Sequence, residues 1–404
     1  MNRSIYIMAL GAFGIITTEF GVIGILPALA KEFSISIDTA GWLLSAFALT
    51  VALTGPFTTA LTARINRKTI LALVLAVFVV SNILSAFAPS FTFMMIARIL
   101  PAFLHPVFWA VAASVAAREA GPKEAPKAVA TVMAGLSIAT VLGVPLTTYM
   151  ADLFNWKASF YLAAFINLIA FAGMLLLVPS MPVSKESSSN VADPILRSPF
   201  LWVKLSTTLV MLAGMFATYS YLAEFLNKIT QMSGAEISIM LLVFGGAGIA
   251  GNWAMGIWLS RNVMLTTRIF LLSLVLTHIL AFQFGGYFIP MVIILSIWGF
   301  IHTGGFLAAN IHLTAYVPQR SLELVNSLLP SFYNAGITVG SLMGGYVIAH
   351  YGTKQVIWMA IPLLLLAYGM SFYTQKKTEL TAEVESAPAG HQQPEPEPEP
   401  VLSE

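Results

Sequence analysis

Residues 5–29, IYIMALGAFGIITTEFGVIGILPAL, read as one membrane-crossing helix, with Glu19 as the only charged side chain in the run. At 1.5 Å rise per residue such a run is longer than the roughly 30 Å hydrocarbon core of a bilayer. Lipid offers the backbone no water to bond, so a single crossing segment satisfies its amides and carbonyls as a helix. Arg3 ahead of the run and Ala28-Leu29-Ala30 at its end imitate a secretory signal. The run is too long for an h-region of about 7–15 residues and it contains Glu19, so the expectation is an uncleaved first helix.

The rest of the chain repeats this pattern. Of 404 residues, 58% are hydrophobic and 9% charged, against roughly 45–50% and 25% in soluble domains. So few charges cannot cover a water-soluble fold of this size, and lipid must face most of the surface. Eleven further apolar runs have crossing length: 40–62, 69–87, 91–117, 127–151, 158–178, 201–226, 235–258, 264–284, 287–315, 323–349 and 354–374. The expected fold is therefore an all-α membrane protein of twelve transmembrane helices. Prolines inside the runs, Pro27, Pro101, Pro106, Pro145 and Pro330 among them, suit kinked helices. With no cysteine, disulfides, thiolate nucleophiles, iron–sulfur clusters and cysteine-based zinc sites are excluded, and no cofactor or metal is expected.

Charge sets the expected orientation. With the N-terminus inside, fifteen Lys and Arg fall on the inner side, four on the outer, and Arg98 within a span. This bias places both termini in the cytoplasm of a multi-pass plasma (inner) membrane protein. The acidic segment 378–404 leaves the remainder basic, which suits an anionic leaflet and not nucleic acid. Residues 179–200, rich in Ser and charge, read as a cytoplasmic linker between six-helix bundles at 1–178 and 201–375. Residues 376–404, ending in Pro-Glu repeats, read as a disordered acidic cytoplasmic tail. An offset of 197 residues sets Gly143 on Gly340, Tyr149 on Tyr346 and His105 on His302, as expected of an internal duplication. Two pseudo-symmetric six-helix halves describe a transporter architecture whose substrate site lies between them near the midplane.

Ionisable groups inside spans carry the sharpest signal, since each costs about 2.5–3.5 kcal/mol to insert unless paired or hydrated. Glu19 in Thr17-Thr18-Glu19-Phe20 is a candidate proton carrier; the bland alternative is a neutral acid pinning helix 1 by a fixed hydrogen bond. Arg98 lies about 10 Å into the fourth span and needs an acid or carbonyls. Glu19 is its expected partner, with snorkelling to the outer interface as the rival. His105 and His302, at matched depths, are expected to face one cavity as substrate or relay groups. Glu224 falls near the outer rim. Phe20 and Trp109, with Phe108, Trp298, Phe332 and Tyr333, offer stacking surface, and Asn334 a polar contact among packing glycines. No phosphate-binding loop, HExxH or GxSxG motif is present, so an enzyme is not expected and any energy comes from a gradient.

Thr17 to Phe20 with Gly24-Ile25-Leu26-Pro27, Arg98 to His105, and Gly143-Val144-Pro145 resemble the major facilitator superfamily. More narrowly they are similar to its twelve-helix drug:proton antiporters, close to bacterial sugar-efflux and purine-efflux transporters. The resemblance implies the major facilitator fold, a monomer, and proton coupling through Glu19 and Arg98. In the loop between helices 2 and 3 the family pattern Gly-x-Leu-x-Asp-Arg-x-Gly-Arg-Lys is met by Thr59, Leu61, Ala63, Arg64, Asn66, Arg67 and Lys68. Arg64, Arg67 and Lys68 keep the gate loop's basic residues, while its acid is replaced. The expected function is secondary active efflux of a small organic solute, such as a drug, sugar or nucleoside, in exchange for protons. The rivals are an uncoupled facilitator or proton symporter and, from another class, a membrane receptor or scaffold.

Overall fold

The computed structural model of the chain describes residues 3–181, 194–315, 317 and 321–386, and these are almost entirely helical. The first half contains α1 (Arg3–Glu32), α2 (Ile37–Thr62), α3 (Arg67–Ala86), α4 (Phe91–Ala102), α5 (His105–Ile138), a π-helical turn (Ala139–Gly143), α6 (Val144–Leu153) and α7 (Trp156–Leu177). The second contains α8 (Pro199–Tyr219), α9 (Leu222–Lys228), α10 (Gly234–Arg261), α11 (Val263–Phe284), α12 (Phe288–His302), α13 (Gly305–Thr314), α14 (Leu322–Tyr351) and α15 (Val356–Ser386).

Local chemistry explains the breaks. Pro106 has no N–H to give the preceding turn, so the fourth crossing splits into α4 and α5 just before His105. Gly121, at φ 74°, then turns the chain within α5, so the helix serves two crossings. Pro145 similarly removes a ladder bond, and the preceding turn widens to π geometry. The seventh crossing is α8 plus α9 and the tenth is α12 plus α13, the latter parting at Thr303-Gly304.

Among the described residues, eleven helical segments are long and apolar enough to cross a membrane, against twelve expected. The remaining crossing is α14, a 30-residue helix carrying Asn326, Ser331, Asn334, Thr338 and Ser341. Its lower apolarity has a packing cause, because it lies along α2 and α8 instead of facing lipid on all sides. The last helix runs past residue 375 to Ser386, where the expected tail begins, through a stretch rich in helix-favouring residues. Residues 387–404, and 182–193 of the expected linker, lie outside the described residues.

Twelve crossings create two ends, a near end holding Arg3 and Ser386 and a far end reached first by Glu32. At the far end the halves meet closely. The Tyr221 hydroxyl wedges between Gly41 of α2 and Gly345 of α14, and donates to the Ser341 carbonyl at 3.0 Å. Any Cβ at either glycine would collide with that hydroxyl. On the opposite flank Asp152 of α6 abuts Gly234 at the start of α10. The Thr338 hydroxyl also reaches the Ser45 carbonyl, at 3.4 Å.

Candidate functional site

Glu19 sits midway along α1, and its surroundings are built by glycines that let neighbours approach. A Cβ at Gly14 would stand 2.8 Å from Asn167 Oδ1, so glycine there admits the α7 amide. Asn167 Nδ2 donates to the Gly14 carbonyl at 3.0 Å and the Thr18 hydroxyl at 3.1 Å. Asn82 Nδ2 of α3 donates to the same hydroxyl at 2.9 Å. Thr18 is thus clamped by two intramembrane amides that the sequence reading passed over; an amide inside an apolar run was the available signal.

Arg98 is buried, 2% exposed, and does not snorkel. Its Nη2 donates to the Thr18 carbonyl at 2.9 Å and to the Glu19 carbonyl at 3.5 Å, while its guanidinium lies 5.8 Å from the Phe160 ring centre. The expected pairing with Glu19 is corrected in its atoms: Arg98 holds the backbone of residue 19, and the carboxylate goes elsewhere. A guanidinium carries several N–H donors and no acceptor, and backbone oxygens of α1 can take them as second partners. This polar core encloses only about 10 Å³ of free space, room for one water and too little for a solute.

The Glu19 carboxylate meets His105, with Oε2 3.1 Å from Nε2. Trp109, one turn along α5, places its indole Nε1 3.0 Å from the same Nε2. The Phe47 ring of α2 closes the group edge-on, 5.7 Å from the imidazole. Glu19, His105 and Trp109 therefore form a contiguous set, of which Trp109 alone is half-buried.

His302 lies in different company. Its ring centre is 4.7 Å from Tyr219, 5.5 Å from Phe244 and 6.0 Å from Phe216. Trp298 continues the cluster through Phe244 at 6.2 Å and His278 at 4.7 Å. Among the described residues no hydrogen bond or ring contact joins His302 to His105. His105 opens the helix after a break, whereas His302 closes the helix before one, so equal depth gives unequal direction. Tyr219, which contacts His302 more closely than any residue named from sequence, was not anticipated.

Phe20 packs its ring 5.7 Å from Phe216 and joins the halves. Half-buried Phe13, Trp109 and Leu136 of the first half and Phe306 and Tyr333 of the second pack on the same core. Tyr333 donates to the Phe306 carbonyl at 2.7 Å. Asn334 gives Nδ2 to the Pro330 carbonyl at 3.0 Å and leaves Oδ1 without a partner. Glu224 is buried in α9, close to the far end as expected. In the gate loop Arg64 is exposed, the Arg67 N–H donates to the Met181 carbonyl at 3.0 Å and Lys68 Nζ to the Leu175 carbonyl at 2.8 Å. Asn66 caps α3 and donates to Ser180 at 2.9 Å. These contacts tie the loop to its own half. Among the described residues no group of three or more His, Asp or Glu is arranged to hold a metal.

Comparison with known proteins agrees with this architecture. The family model of the Major Facilitator Superfamily matches residues 8–308. A protein of Helicobacter pylori (strain G27) named a probable sugar efflux transporter is 30% identical over 376 residues, covering 92% of this chain and 95% of that one. An uncharacterized MFS-type transporter of Bacillus subtilis (strain 168), YtbD, is 28% identical over 359 residues, covering 87% and 90%. Among solved structures, a bacterial homologue of the human lysosomal transporter Spinster, inward-facing and occupied, superposes with a TM-score of 0.73 at 16% identity, over 92% of this chain and 96% of that one. The chain belongs to the major facilitator superfamily and is a multi-pass membrane transporter, not an enzyme.

Proposed function

We propose that the protein exports a small polar organic solute of the sugar class in exchange for protons entering the cell. The observation that carries this reading is the buried carboxylate of Glu19 held against His105 beside the half-buried Trp109. A carboxylate buried in a crossing helix and in reach of a histidine is placed to meet water from one side and then the other as the halves move. The relatives named for sugar efflux supply the substrate class and direction.

In this reading Glu19 carries the proton, and Arg98 fixes the backbone around it and biases its charge. Trp109, His105 and Phe20 from one half and His302 and Asn334 from the other contact the solute. Arg64, Arg67 and Lys68 stand at the cytoplasmic mouth, with both termini on that side. Contacts sealing the far end suit a carrier open to the cytoplasm, where an exporter loads. A proton moving inward yields about 2.3 kcal/mol per 100 mV, sufficient to drive a neutral solute against roughly a 40-fold gradient.

The test uses everted membrane vesicles with an acidified lumen, recording lumenal pH as lactose, glucose, arabinose and nucleosides are added. Wild type should release protons with at least one of them, and Glu19→Gln should cut that release by at least about tenfold, 1.4 kcal/mol in the coupling step. Solute movement that proceeds equally in wild type and Glu19→Gln, indifferent to an uncoupler, would replace exchange with facilitated diffusion.

A further inference from the structure

His105 Nε2 is within hydrogen-bond distance of two groups, Glu19 Oε2 at 3.1 Å and Trp109 Nε1 at 3.0 Å. One imidazole nitrogen offers one position, either a hydrogen or a lone pair. The indole Nε1 is a donor only, so Trp109 bonds Nε2 solely when that lone pair is free. Glu19 approaches Nε2 attractively only with a proton between them. Whether that proton belongs to oxygen or nitrogen, it occupies the position the indole requires.

We propose that Trp109 and the transported proton exclude one another at His105 Nε2, and that a solute resting on the Trp109 indole drives the proton off. This deepens the exchange reading and rests on it. In the proton-loaded state the Glu19 and His105 pair shares the proton and the indole is untethered. In the solute-loaded state the indole N–H takes the Nε2 lone pair, which fixes the ring as a platform, and the proton leaves to water on the open side. Mutual exclusion supplies the sign that exchange requires, because each cargo then weakens the binding of the other.

The surroundings can accommodate both states. His105 Nδ1 has no partner, so the tautomer is not fixed from the other side of the ring. Arg98 of α4 has an unpartnered Nε–H and feels the charge of Glu19, so a carboxylate left by the proton retains a nearby cation. From α2 the facing group is the Phe47 ring, and from α3 and α7 the amides of Asn82 and Asn167, which are engaged with Thr18. No other ionisable side chain among the described residues is bonded to Glu19 or His105. Trp109 is the one of the three that is only half-buried, and it packs against the core cluster to which both halves contribute.

Two readouts test this: the ¹⁵N-histidine spectrum of the full chain in lipid nanodiscs without solute, and proton exchange by vesicles with lactose or glucose. Trp109→Phe keeps an aromatic ring and removes only the donor. The His105 Nε2 resonance, assigned with His105→Asn, should differ from wild type in Trp109→Phe. The pH profile of vesicle proton exchange should move upward by about half a unit, near threefold in proton occupancy. An unchanged resonance together with an unchanged profile overturns the proposal and leaves Trp109 as packing. Proton uptake by wild type on adding lactose or glucose overturns it too, since exclusion predicts release. If no sugar moves protons in wild type the export reading fails, and the solute-free resonance still decides the exclusion.

Discussion

The two halves place the same scaffold positions in service of different chemistry. The 197-residue offset sets Phe216 where Glu19 stands, Leu295 where Arg98 stands and Phe306 where Trp109 stands, with histidine retained at 105 and 302. One contact repeats as well: Glu19 touches His105, and Phe216 touches His302. The first half has thus kept an acid and its cation, while the second has an aromatic cluster. A charge inside a membrane needs a partner, so Glu19 and Arg98 occur together, and at the matched positions of the second half both give way to apolar residues. The matched positions thus carry different side chains: a buried carboxylate beside a histidine in one half, and a ring beside a histidine in the other.

Moving the acid across to the second half should have the largest effect. Phe216→Glu puts a carboxylate at the repeat position with Leu295 in place of an arginine, so burial without a cation should cost about 2.5–3.5 kcal/mol. The expected result is a clear fall in the midpoint of thermal unfolding; a variant as stable as wild type would mean the second half tolerates an acid and the halves are chemically interchangeable. His302→Asn is gentler and sharpens the division: solute affinity should fall about tenfold, or 1.4 kcal/mol, while protons moved per solute stay constant. A change in that ratio would assign His302 to the proton side. The smallest effect is expected from Asn82→Leu, which removes one of the amides clamping Thr18 and should cost about 1 kcal/mol, read as a small shift in thermal midpoint with exchange retained. Loss of exchange there would extend the proton site to α3.

Some of this site was legible in the chain and some was not. Glu19 and Arg98 stood out because an ionisable residue within an apolar run is conspicuous. The partner of each was not readable, because one helix face meets several neighbours and only packing decides which atom arrives first. Asn82 and Asn167 converge on Thr18 from 64 and 149 residues away, a convergence that no local pattern encodes. The two histidines match by sequence offset, yet position along a helix says nothing of azimuth. The helix breaks at Phe103-Leu104, before His105, but at Thr303-Gly304, after His302, and the two rings lie in different surroundings.

Sequence by itself determined the helical membrane architecture, the near equality of the halves and the positions of the buried charges. Each follows from transfer energetics acting residue by residue along a crossing segment. Tertiary structure alone decided that Arg98 holds carbonyls, that Glu19 and Trp109 meet at one nitrogen of His105, and that His302 lies among rings. Those outcomes depend on the relative rotation of helices distant in the chain, fixed where glycines admit close approach and prolines interrupt the backbone ladder.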